Sequence, residues 1–431
     1  MKKWNINYHT IWIYLLVFSF SFEKPLIVLS SLDRLNPRLF DLVLGLGILI
    51  LINNRLKFTE VVFKYWLLIV ANFWVCAVLG LLLFDFSSQV KLYMVYYCFE
   101  YFKGVLALAI YLTIPEKYRP LRVIVNALFI GGFFVGTYCL YEYFIGIEQI
   151  VLTEGLILSK PKELVWGPFS GSYFHIANYI PLISAICLSK MIVVKSNKIF
   201  WFVVFLFFSW PILFTGSRTA IFLFIASVFF VFAFYIRKKT TVWLLLFFTI
   251  FTSVVVINTS FIASENYTLE RLNQFEENDS HNSILNRVLF FSHFDISSYD
   301  EGEYLPFIGA GFYVAPIEGR PRVGYGFHNI YVFTIEQSGI IGFCLFIMFC
   351  FVVVRRFVNF IKVGKVSKYH WFVVAVTAYT LGSLVIGWSG HTFWRGFATS
   401  NFNTLRILLL VSCSLYITKS YLALSIFKKN N

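Results

Sequence analysis

Apolar runs of about 20 residues recur from one end of this chain to the other, the length at which a helix crosses about 30 Å of hydrocarbon. The runs fall at 9–31, 38–53, 65–84, 91–112, 121–146, 173–194, 199–216, 218–236, 241–262, 327–354, 370–388 and 403–424. Composition agrees. The chain of 431 residues is 59% apolar and 13% charged, against about 45–50% and about 25% in soluble domains. That excludes an ordinary water-soluble enzyme and a disordered chain alike. The expectation is an all-α integral membrane protein of about twelve spans, forming one polytopic domain over 1–431. Lys2 and Lys3 precede the first run and Glu23, Lys24 and Pro25 interrupt it, as in a signal peptide. No small-residue cleavage pattern follows, so it is expected to stay as an uncleaved anchor. The seven cysteines all lie in apolar stretches without metal-ligand spacing; they read as small hydrophobes, not as disulfides or a zinc site.

The net charge of +14 does not form one patch. With the N-terminus in the cytoplasm, alternate loops carry Arg55, Lys57 and Lys64; Lys117, Arg119 and Arg122; Lys190, Lys195 and Lys198; Arg237, Lys238 and Lys239; Arg355, Arg356, Lys362, Lys365 and Lys368; and Lys428 and Lys429. This positive-inside bias puts both termini in the cytoplasm and argues for membrane topology over nucleic-acid binding. The same topology puts residues 263–325, the longest non-apolar stretch, outside as a large periplasmic loop with ten acids and four bases. A loop of that length is usually functional or disordered. A shorter outer loop runs over 147–172.

The 38 residues from Ile199 to Ile236 carry a single charge, Arg218. One helix of that length would overshoot the bilayer, so the chain must turn, and Pro211 and Gly216 offer the place. The turn puts Arg218 at the outer membrane face. There it is either a snorkelling helix-end arginine or an anion receptor beside the lipid headgroups. Two further crossings return the chain to that side, so Arg287 shares its face. Arg287 alone fits a surface pair with the loop acids equally well.

Next comes Gly326-Phe327-His328-Asn329, then nine residues, then Gly339-Ile340-Ile341-Gly342. On a continuous helix Gly339 falls about 20° to one side of His328 and Gly342 about 40° to the other. The two glycines then form a stripe that lets another helix come close. His328 is either a polar interfacial cap or a neutral imidazole available as a base. Arg320 and Arg322 are alternative phosphate ligands just before it. Arg395, beside Trp394 in the last outer loop, suits sugar stacking or phosphate. Lys91 lies near the outer end of its span. Glu100 and Lys103, three apart in that span, are expected to pair. Arg34 and Arg38 flank an outer turn at Pro37.

The string His328-Asn329-x9-Gly339-x-x-Gly342 resembles the signature of bacterial O-antigen ligases. Gly216-Ser217-Arg218-Thr219-Ala220 and Arg287 resemble the other arginine-bearing segments of that family, which also includes O-antigen and capsule polymerases. The resemblance covers about residues 200–345; elsewhere only hydropathy agrees. It implies a GT-C-like membrane glycosyltransferase in the bacterial inner membrane, with its active site facing the periplasm. It implies an undecaprenyl-diphosphate-linked glycan as donor, and lipid A-core or a second lipid-linked glycan as acceptor. Arg218 and Arg287 then match the diphosphate-binding positions, and His328 the residue that activates the acceptor hydroxyl. Asn329, Gly339 and Gly342 serve motif packing. No cofactor, metal or nucleic acid is implied, and single displacement would invert the anomeric centre. Two readings of another class compete. A flippase for lipid-linked oligosaccharides would share the span count, and a structural or binding membrane protein would leave the Arg218, Arg287 and His328 coincidence unexplained.

Overall fold

The computed structural model describes residues 7–22, 24, 26, 37–52, 60–83, 88–146, 149–151, 157–159, 164–169, 173–194, 197–215, 217–236, 330–363, 367–387 and 400–429. Among them the chain is helical apart from turns and one short hairpin. In chain order the elements are α1 (Tyr8–Ser19), α2 (Leu39–Ile52), α3 (Val61–Leu83), α4 (Ser88–Thr113), α5 (Leu121–Ile145), β1 (Gln149–Val151), β2 (Ile157–Ser159), α6 (Tyr173–Val193), α7 (Lys198–Ser209), α8 (Arg218–Tyr235), α9 (Ile330–Val363), α10 (His370–Ile386) and α11 (Ser400–Lys429). Short 3-10 turns at Glu116–Tyr118 and Trp210–Phe214 precede α5 and α8. Eleven of the twelve expected segments overlap these helices; 241–262 and the loop 263–325 lie outside the described residues. Six helices contain a stretch long and apolar enough to cross a membrane, in α3, α4, α5, α6, α9 and α11, and five further apolar helices are shorter. The chain is a multi-pass helical membrane protein.

Two details depart from the sequence reading. α1 stops at Ser19, far short of 31, and the chain turns there, with Ser21 N–H donating to Phe18 O at 2.8 Å. Pro25 and the adjacent charges give the reason, since Pro bars the preceding residue from helix and charges resist burial. The segment after α5 forms a β1–β2 antiparallel hairpin, with Gln149 opposite Ser159 and Val151 opposite Ile157.

The chain divides into two compact units. The first holds α1, α2, α5, the hairpin, α6, α7, α8 and most of α10. α6 is its centre, packed on α7, α8 and α5, with Ile180, Ile183 and Leu188 fully buried. Glycines allow close approach: a Cβ at Gly131 would meet Tyr179 Oη at 2.8 Å, and one at Gly382 of α10 would meet Ser227 Oγ of α8 at 3.0 Å. At one end Lys190 lies over the rings of Trp201 (4.1 Å), Trp371 (4.9 Å) and Phe129 (5.4 Å). Beside it Ser189 donates to the Trp371 carbonyl at 2.6 Å.

The second unit holds α3, α4, α9 and α11. A Cβ at Gly104 of α4 would stand 2.7 Å from Thr404 Oγ1 of α11, and Ser412 donates to Tyr111 Oη at 3.0 Å. Arg356 of α9 donates to Thr418 Oγ1 of α11 at 2.6 Å. Glu60 starts α3 by accepting the Phe63 N–H at 2.7 Å. Burial holds its carboxyl above the usual range, against the opposing pull of Ser414, of the Phe63 and Val62 N–H groups and of Arg356.

Candidate functional site

Arg218 is the first residue of α8, and the structure shows why a helix begins there. Pro211 sits at the start of the 3-10 turn, where its missing N–H costs nothing, so the apolar run breaks where the sequence requires. Thr215 and Ser217 then lock the reversal, both of them buried. Thr215 Oγ1 donates to Ile212 O at 3.0 Å and accepts the Ser217 N–H at 3.2 Å. The Ser217 hydroxyl accepts the Ala220 N–H at 3.2 Å as an N-cap. The aligned peptide dipoles make this end of α8 electropositive, and Arg218 adds a full charge to it. The backbone of Arg218 is placed; its side chain lies outside the described atoms.

The start of α9 is the second sector. His328 and Asn329 immediately precede it and lie outside the described residues, as do Arg287, Arg320, Arg322 and Arg395. Ile330 N–H donates to Gly387 O at 2.9 Å, and Tyr331 Oη donates to Leu384 O at 2.7 Å. The backbone leaving α9 toward His328 and the backbone leaving α10 toward Arg395 are therefore tied together at their described ends.

The glycine stripe needs correcting. Gly339 has φ 63° and ψ −172°, and α9 breaks at it. That backbone region is close to glycine-only. The 100° per residue relation to His328 therefore does not run through Gly339 to Gly342 as one helical face. Gly342 does serve close approach: a Cβ there would collide with Ser338 and stand 2.7 Å from Asn72 Nδ2. Asn72 of α3 donates to the Ser338 carbonyl at 3.3 Å, beside the break. An interrupted helix at membrane depth needs such a donor, because lipid supplies none.

Other expected residues are placed as follows. Lys91 is half-buried on α4. Glu100 and Lys103 form the ion pair the spacing predicts. Arg38 is buried, with its backbone N–H donating to Asp41 Oδ2 at 2.8 Å at the start of α2. Besides Glu60, two buried charges among the described residues are not singled out by the sequence reading. Arg406 is 3% exposed within α11; a lone arginine in the run 403–418 is the signal that could have found it. Glu142 is 2% exposed at the end of α5 and resembles an ordinary interfacial acid in sequence. Among the described residues no group of three or more His, Cys, Asp or Glu side chains could hold a metal ion.

A search of curated proteins finds no match to the chain. The sequence model of one family, O-antigen ligase, matches residues 182–347. That span runs from α6 to the middle of α9. It contains Arg218, Arg287, Arg320, Arg322, His328, Asn329, Gly339 and Gly342, while Lys91 and Arg395 fall outside it. Over residues 182–347, then, this chain is similar to the O-antigen ligase family.

Proposed function

We propose that the protein is a membrane glycosyltransferase that moves a glycan from undecaprenyl diphosphate to an acceptor sugar hydroxyl at the periplasmic face of the inner membrane. The observation that carries this reading is the family match, which spans both the Arg218 turn and the His328 string. Breaking the sugar–phosphate bond builds negative charge on the departing diphosphate. Arg218 and Arg287 stabilise that charge, their planar forks each bonding two oxygens. His328 removes the proton from the acceptor hydroxyl as that oxygen attacks C1. Attack opposite the leaving diphosphate inverts the anomeric centre, and no metal takes part. About twelve spans in a GT-C-like arrangement, with both termini cytoplasmic, place this chemistry where the lipid donor is presented. Arg320, Arg322, Arg395 and Lys91 line the path of the glycan or its phosphate.

The acceptor is either lipid A-core, which makes the protein a ligase, or a second lipid-linked repeat, which makes it a polymerase. Deletion separates them: loss of ligation leaves polymer on the lipid carrier, and loss of polymerisation leaves single repeats on the lipopolysaccharide.

One observation favours a transporter instead. The break in α9 comes about 14 Å along the helix from its start, and broken helices at membrane depth are common in transporters. Reconstitution in liposomes with a defined lipid-linked glycan and candidate acceptors decides between them. Transfer that is abolished by His328→Ala, with the variant inserted normally, supports the enzyme. Transport without glycosyl transfer, or full turnover in His328→Ala, overturns it.

A further inference from the structure

Glu142 has no part in the transfer chemistry above, yet both of its carboxylate oxygens face backbone N–H groups. It lies on the last turn of α5 and is 2% exposed, where a carboxylate is costly unless its oxygens find donors. Donors are present. The Trp166 N–H lies 3.1 and 3.2 Å from its two oxygens, and the Gly167 N–H donates to one of them at 2.8 Å. Gly167 presents that N–H from φ +73°, a conformation that favours glycine.

The held segment leads to Arg218. Val165, next to Trp166, donates its N–H to Phe214 O at 2.7 Å. Phe214 closes the 3-10 turn, and Thr215 and Ser217 carry the hydroxyl lock into the first turn of α8. A second tie runs in parallel: Tyr143, adjacent to Glu142, packs its ring 4.9 Å from Phe214 and 5.9 Å from Trp210.

We propose that Glu142 is a positioning residue for the donor site. Acting through residues 165–167 and the Phe214 carbonyl, it fixes where α8 begins and therefore where Arg218 is held against the diphosphate. The proposal rests on the reading of Arg218 given above. A plain structural staple would stabilise the fold without any coupling to Arg218, and that difference is measurable.

The test uses the full-length protein in lipid nanodiscs with undecaprenyl diphosphate as the probe, titrated against wild type, Glu142→Gln, Arg218→Ala and the double variant. Gln keeps the size of Glu but turns its amide N–H groups toward a backbone donor. Glu142→Gln is expected to weaken binding about tenfold in the wild-type background, which is about 1.4 kcal/mol, and by less than about twofold when Arg218 is already Ala. Equal losses in the two backgrounds, or wild-type affinity in Glu142→Gln, overturn the brace while leaving Arg218 as the ligand. Wild-type affinity in Arg218→Ala overturns the reading of Arg218 itself, and the brace with it. Should Glu142→Gln fail to accumulate, Thr215→Val cuts the last link with Glu142 in place and runs the same cycle, with the same outcomes deciding.

Discussion

At the scale of single residues, the electropositive start of α8 makes a claim about geometry as well as charge. An ammonium in place of the guanidinium keeps the charge and loses the two-point grip on phosphate. Arg218→Lys and Arg287→Lys are therefore expected to keep part of donor binding, and the Ala variants to lose about ten- to hundredfold in kcat/KM for the lipid donor, the scale of a charge-assisted hydrogen bond. Steady-state kinetics with a defined donor measures both, and Lys variants no better than Ala would mean that charge plays no separate part. Residue-level chemistry is also where sequence reading is most uneven. Arg218 stands out because no other charge lies within its 38-residue run. The Glu100–Lys103 pair follows from spacing alone, and the ion pair is present. Glu142 escapes, because its significance lies in backbone N–H groups 24 and 25 positions away, and no local pattern records those partners.

Among the elements, α9 teaches most. Its two motif glycines do different work, one taking a backbone conformation closed to other residues and the other leaving room for Asn72. Gly339→Ala is expected to cost about 1–3 kcal/mol at that backbone angle and to lower transfer at least about tenfold by redirecting the turns that follow His328. Thermal unfolding in detergent and single-turnover rates report the two effects separately; unchanged rates would leave the break without functional meaning. Hydropathy places helices well because lipid forces every backbone group to be satisfied within the segment. The limits expected for α2, α5 and α6 lie within a residue or two of those observed. It fails at α9 because one glycine breaks a helix without altering hydropathy, and it misses the β1–β2 hairpin because two three-residue strands are too short to carry a pattern.

For the molecule as a whole, the alternation of basic loops makes an orientation that labelling can check. Single cysteines introduced at Lys239 and Lys365 in a cysteine-free background are expected to react with a membrane-impermeant maleimide only after the inner membrane is opened. Cysteines at Asn278 and Asp300 are expected to react in intact spheroplasts. The reverse pattern would invert the topology and remove His328 from the periplasmic face. The placement of the described helices is legible in sequence, since span length is a one-dimensional quantity. The pairing of helices is not, because it depends on side chains far apart in the chain. The ring enclosure of Lys190 belongs to that second kind. Ser189 and Trp371 meet across 182 positions, so the nascent chain must thread α6 into the bilayer long before the ribosome has made the helix that covers it. Until α10 emerges, that ammonium waits without one of its aromatic walls. A chain cut short before Trp371 would leave Lys190 without that wall for good.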